Sequence, residues 1–169
     1  MSMIVGIGPG ADAKFDIQKV KAYSKFSNKI WNATRFVLDN TKDCNITDAQ
    51  NYDEEDKKSD EELKNLITEI TKEMEEYKFY IVAEKLYRYF WHTFADIIIE
   101  RSKKKIAENN NADSAKKLLR THLNTLLKIL HPFMPFITEE IWSMLPTKEK
   151  KLLMVEKWPA SADGTIKNV

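Results

Sequence analysis

An aromatic ring set among lysines and a carboxamide is chemistry suited to single-stranded nucleic acid, and residues 20–38 carry it in Lys21, Lys25, Lys29, Asn32 and Phe36. Bases stack on such a ring for ~1–3 kcal/mol each, lysines meet phosphates, and an asparagine hydrogen-bonds a base edge. On a helical wheel with Ser27 at zero and about 100° per residue, Val20, Tyr23, Ile30, Trp31, Thr34 and Leu38 fall within about 60° of that direction and form the expected core face. Lys21, Lys25, Lys29 and Asn32 fall between about 120° and 200°, with Phe36 among them at about 180°. Arg35, at about 80°, sits on the boundary and can reach a phosphate or Asp39. The competing reading is that a second helix or the tail covers Phe36, since a bundle helix often buries two faces.

No catalytic constellation appears beside this one. His92, His122 and His131 lack partners at metal-ligand spacing. His122 lies on a leucine stripe and reads as a hydrogen-bonded core histidine, whereas His131, before Pro132, can bond the last carbonyls of a helix. The run Gly6-Ile7-Gly8-Pro9-Gly10 lacks the Lys-Ser/Thr pair of a phosphate loop. Asp96 and Glu100, four apart, have an acid/base spacing, but Arg101 and the lysines at 103–105 favour ion pairing. A lone Cys44 excludes an internal disulfide framework and a multi-cysteine zinc site.

The elements that must position these residues are helices. Only four Gly and five Pro stand in 169 residues that are 43% hydrophobic and 31% charged, a balance that disfavours sandwiches and barrels. Asp16 is placed to cap a helix from Ile17 to about Asn40. Residues 43–56 read as a polar loop, and Ser59 with Glu62 fits a capping box opening an acidic helix through about Glu75. A third helix is expected from near Phe79 to Ala107, apolar almost all round at its centre. After a turn at residues 109–111, a fourth starts near Asp113 or Ser114, and Pro132 and Pro135 break or kink it. A short fifth helix runs through Ile137, Ile141, Trp142 and Leu145. The expected fold is all-α: an antiparallel bundle of four to five helices over residues 16–146. Short extended segments flank it, a junction at residues 1–15 and a tail at residues 147–169.

The formal net charge of +1 hides a division along the chain. Residues 1–40 hold six cations and three anions, residues 41–76 five and thirteen, and residues 77–130 eleven and five. The global balance excludes a uniformly basic nucleic-acid binder, yet a local basic face survives if the fold separates it from the acidic run by more than roughly 10 Å. The acidic segment is therefore expected to face away from the basic surface. No apolar run approaches the ~20 residues of a membrane span, so an intracellular protein that binds no membrane is expected.

Two stretches resemble a known family. Asn28-Lys29-Ile30-Trp31-Asn32-Ala33-Thr34-Arg35-Phe36-Val37 is similar to the first anticodon-domain helix of class I valyl-tRNA synthetases. His131-Pro132-Phe133-Met134-Pro135-Phe136-Ile137-Thr138-Glu139-Glu140-Ile141-Trp142 resembles the proline-kinked segment of the same domain, shared with the leucyl and isoleucyl enzymes. Weaker likenesses lie at Gly10-Ala11-Asp12 with Phe15, at residues 90–96, and at Glu156-Lys157-Trp158-Pro159. The resemblance implies a helix bundle that binds the tRNA anticodon arm, while a separate domain activates valine with ATP. The catalytic signatures are missing, so it implies a piece of a longer cytoplasmic ligase, inactive alone, without cofactor or metal, monomeric, and binding tRNA but not DNA. By motif position it marks Asn32, Arg35 and Phe36 as anticodon contacts, with Ile99 and Glu100 where relatives usually carry a Leu-Glu pair. The alternatives are an isoleucyl or leucyl enzyme's domain, or a helical protein–protein module.

Overall fold

The computed structural model describes residues 1–6, 16–42, 52–146 and 151–159; Cys44, the Gly10-Ala11-Asp12 motif with Phe15, and most of the junction and tail lie outside these residues. No strand occurs among them. Helix α1 spans Ile17–Asn40, and Asp16 caps it by accepting a hydrogen bond from the Gln18 amide at 2.8 Å. Helix α2 spans Glu54–Glu75 and begins before the expected Ser59 box. Asp53 is the true cap, accepting from the Asp56 amide at 2.9 Å, and three acids in the first turn favour the positive end of the helix dipole. Ser59 instead lies inside the helix and donates to the Glu55 carbonyl.

The expected third helix is continuous in extent but not in kind. It comprises α3 (Phe79–Arg88), a π-helical stretch (Tyr89–Ile98) and α4 (Ile99–Ala107). In the π stretch the hydrogen bonds reach one residue further back, as in Ile99 N–H to the Phe94 carbonyl, a pattern that composition does not reveal. Tyr77 (φ 58°) and Asn109 (φ 49°) hold the left-handed backbone that closes α2 and α4, and each chain end bonds back to the last carbonyls. Helix α5 runs Ala112–Leu130 and α6 runs Pro135–Met144, with Pro135 in the first turn, where its missing N–H costs nothing. His131 Nδ1 lies 2.8 Å from Thr138 Oγ1, joining the two across the kink; its partner is a hydroxyl and not the carbonyls expected.

α2 runs antiparallel to the third helix: as that helix advances from Lys85 to Arg101, its partners on α2 go back from Glu73 to Asp56. α1 runs parallel to the third helix: contacts advance together from Tyr23–Tyr87 through Phe26–Trp91 to Lys29–Asp96. A long crossover through α2 makes this direction possible. The core joins Phe26, Ile30 and Val37 of α1, Phe90 and Phe94, and the leucine stripe of α5, all fully buried. His122 is in that core as expected, but neither ring nitrogen has a hydrogen-bond partner. Burial pushes its pKa down to about 4 against the opposing pull of Asp60 and Asp56, so the ring is neutral.

Residues 1–6 form a turn packed on the core through Met1, Ile4 and Val5. The described part of the tail, residues 151–159, holds a short 3-10 turn, Leu153–Val155, between Leu152 and Glu156 in extended backbone. It is tied down by Trp158 Nε1 donating to Thr71 Oγ1 and by Lys128 paired with Glu156. Among the described residues no helix is long and apolar enough to cross a membrane.

Candidate nucleic-acid interface

The buried residues of α1 are Phe26, Ile30, Ala33, Thr34 and Val37. Their mean direction is rotated by roughly 75° from the expected core face. Val20 is consequently exposed, and Tyr23, Trp31 and Leu38 are only half-buried. The rotation arises because α1 is packed from two sides, by α5 and α6 on one and by the π stretch on the other. Phe36 therefore lies on the flank of the buried face rather than opposite it. It is half-buried and packs against the core.

That flank is one wall of a groove of about 150 Å³ between α1 and the π–α4 stretch. Its floor is Ala33, Ala95 and Ile99, all buried, and the two alanines leave the space between the helices open. Lys29, Asn32 and Phe36 line it from α1, and Glu100 and Lys103 from α4. Five of the eight residues singled out in the sequence thus meet in one place: Lys29, Asn32, Phe36, Ile99 and Glu100. Lys21, Lys25 and Arg35 are exposed on the outer face of α1, away from the groove, and pair with no described carboxylate.

The polar groups divide into committed and uncommitted. Lys29 Nζ is 2.7 Å from Asp96 Oδ1 and 5.5 Å from the Trp91 ring centroid, so its charge is held within the protein. Asn32 is exposed, and its carboxamide makes no hydrogen bond among the described residues. In the sequence Lys103 is one of a run of basic neighbours, yet its Nζ lies over the Phe36 ring at 5.2 Å from the centroid and 2.7 Å from Glu100 Oε1. The sequence signal for it is its position three residues beyond Glu100.

The acidic helix is not remote from the basic segment. Asp56, fully buried, receives hydrogen bonds from Arg101, Lys105 and Ser114 at 2.9, 3.0 and 2.6 Å, and Asp53 receives one from Lys105 at 2.6 Å. Burial opposes the charge on Lys105, but these carboxylates outweigh it and raise its pKa. The expectation of separation is corrected for Lys85, Arg101 and Lys105, which the carboxylates of α2 neutralise. It holds for the groove: Lys103 projects about 200° around α4 from Arg101, so α2 packs on the far side. Among the described residues no cluster of His, Cys, Asp and Glu is placed to hold a metal. Glu100 is paired with Lys103 as expected, whereas Asp96 pairs with Lys29 of α1 and not with Arg101 or the lysines at 103–105.

The sequence of this chain has counterparts among known proteins. A family model described as the anticodon-binding domain of tRNA ligase matches residues 56–168, which includes Ala95, Ile99, Glu100 and Lys103. The chain is 40% identical over 150 residues to a valine–tRNA ligase of Thermotoga maritima, covering 89% of this chain and 17% of the relative. It is 40% identical over 164 residues to that of Petrotoga mobilis and 34% over 165 residues to that of Lactobacillus johnsonii, in each case 93% of this chain and 18% of the relative. The chain thus spans less than a fifth of the length of the relatives it matches.

Proposed function

The chain belongs to the family of anticodon-binding domains of tRNA ligases, and we propose that it reads the anticodon loop of valine tRNA within a valine–tRNA ligase. The observation that carries this reading is the groove, which assembles Asn32, Phe36, Ile99 and Glu100 from two helices some sixty residues apart in sequence. A splayed-out loop base enters between Phe36 and Ile99 and stacks on the ring. Asn32 and Glu100 bond its edge, the amide offering donor and acceptor and the carboxylate accepting from an amino group. Lys21, Lys25 and Arg35 meet phosphates on either side, and Lys103 moves from the ring face to the backbone as the base arrives. Lys29, held by Asp96 and Trp91, adds its positive field while fixing the two helices.

This is recognition by binding. Valine activation with ATP belongs, in this reading, to the other four-fifths of the ligase, and the chain alone attaches no amino acid. The decisive measurement is titration of the chain with valine, isoleucine and leucine tRNAs, comparing the native protein with Phe36→Leu. Leucine keeps most of the buried volume but offers no face for stacking, so affinity for valine tRNA should fall by ~1–3 kcal/mol with little change in melting temperature. Equal affinity in the variant removes Phe36 from the site. Preference for isoleucine or leucine tRNA reassigns the parent enzyme. Affinity that barely changes with salt would instead favour a protein partner.

A further inference from the structure

Because α1 and the third helix run parallel, they share one seam that continues past the groove toward their amino-terminal halves. At its far end is a second hollow, of about 350 Å³, lined by Val5, Tyr23, Glu84, Tyr87, Arg88 and His92. Tyr23 and Tyr87 meet edge to face at 5.7 Å, and Tyr87 meets His92 in the same way at 6.5 Å. From Tyr23 to Phe36 the seam is about 20 Å long, room for several nucleotides of an extended strand.

The seam repeats one arrangement three times, a cation held by a carboxylate beside an aromatic ring. Arg88 pairs with Glu84 at 3.1 Å next to Tyr87, Lys29 with Asp96 at 2.7 Å over Trp91, and Lys103 with Glu100 at 2.7 Å over Phe36. The outer two pairs are exposed, and exposed ion pairs hold their partners weakly. A phosphate can take the cation from such a carboxylate at little cost, and charge-assisted bonds from an arginine fork suit phosphate geometry. We propose that the hollow at Tyr87, Arg88 and His92 is a second RNA contact, which binds the sugar-phosphate backbone of the same molecule whose loop base occupies the Phe36 groove, with Arg88 as its phosphate ligand. It rests on the anticodon-reading function proposed above and extends that site along the seam.

The test uses the 169-residue chain, a fluorescently labelled valine tRNA, and salt titration of native protein, Phe36→Leu, Arg88→Gln and Arg88→Glu. Arg88 and Glu84 are both exposed, so neither Arg88 variant should shift the melting temperature. Removing one phosphate ligand lowers the slope of log affinity against log salt by about 0.7–0.9. Arg88→Gln should show that change together with a several-fold loss of affinity at low salt, and Arg88→Glu a larger loss. If Phe36→Leu weakens binding while both Arg88 variants match native protein in affinity and slope, RNA is confined to the groove and the second contact is overturned with the anticodon reading intact. If native protein binds no tRNA, or Phe36→Leu binds as native, the anticodon reading fails and the second contact falls with it.

Discussion

At the scale of the residue, His122 is the side chain whose chemistry and surroundings agree least. The leucine stripe places it in the core correctly, since a periodic apolar pattern fixes which face is buried. It cannot show that both ring nitrogens go unpaired, because partners come from other helices: Asp60 Oδ1 approaches no closer than 3.9 Å. A buried, unpaired polar group costs ~1–3 kcal/mol relative to a paired or absent one. His122→Leu, of similar volume, should therefore raise the melting temperature at pH 7. The pH dependence has a definite sign. The unfolded chain protonates His122 near its ordinary value of 6.5, the folded chain only near 4. Between those values the unfolded state binds more protons, so stability is full above pH 6.5 and lost as pH falls toward 4. The loss is on the order of 3 kcal/mol across the window. Urea unfolding of native protein and His122→Leu at pH 7 and pH 5 checks this; a variant that loses as much stability as native protein on acidification excludes His122 as the source.

At the scale of the element, helix starts are legible where one residue decides them, and less so where the surroundings do. Asp16 marks α1 because an apolar periodicity follows it directly. Asp53 marks α2 just as strictly, but the acids after it read as loop until Arg101, Lys105 and Ser114 are seen to surround Asp56. The phase of α1 escapes the sequence for the same kind of reason. Its wheel gives an apolar arc, and only the neighbours on both flanks select Phe26, Ala33 and Val37 as its buried edge. Nothing in the sequence marks the π stretch, whose distinction lies in hydrogen-bond register. The Asp56 knot joins the amino ends of α2 and α5 to α4, and it should be the most costly polar cluster to break. Asp56→Ala leaves Arg101 and Lys105 with only the exposed Glu55 between them, and a loss of ~3–5 kcal/mol in unfolding free energy is expected. Lys57→Ala, which breaks a pair made by exposed side chains, should change stability too little to measure. Similar small effects from both would show that the knot is peripheral to the packing of α2.

At the scale of the whole molecule, the assembly of the helices decides which charges of a near-neutral chain are paired and which face solvent. α2 lays its carboxylates against Lys85, Arg101 and Lys105, so much of the basic excess of residues 77–130 is cancelled inside the protein. The cations left toward solvent include the outer face of α1, where Lys21, Lys25 and Arg35 pair with no described carboxylate, and weakly held cations along the seam. In the proposed function the groove on that flank takes the base contacts, and the lysines add a field that any RNA would feel. The two contributions are separable because phosphate contacts carry no sequence information. Lys21→Glu with Lys25→Glu should weaken binding of valine, isoleucine and leucine tRNAs by a similar factor. It should also flatten the salt dependence by about 0.7–0.9 for each phosphate no longer held, and leave the melting temperature unchanged because both residues are exposed. Asn32→Ala should do the converse, narrowing the difference between cognate and non-cognate tRNA while the salt slope stays as in native protein. If the lysine reversals change discrimination and Asn32→Ala changes only overall affinity, the division of labour between the α1 face and the groove is the wrong way round.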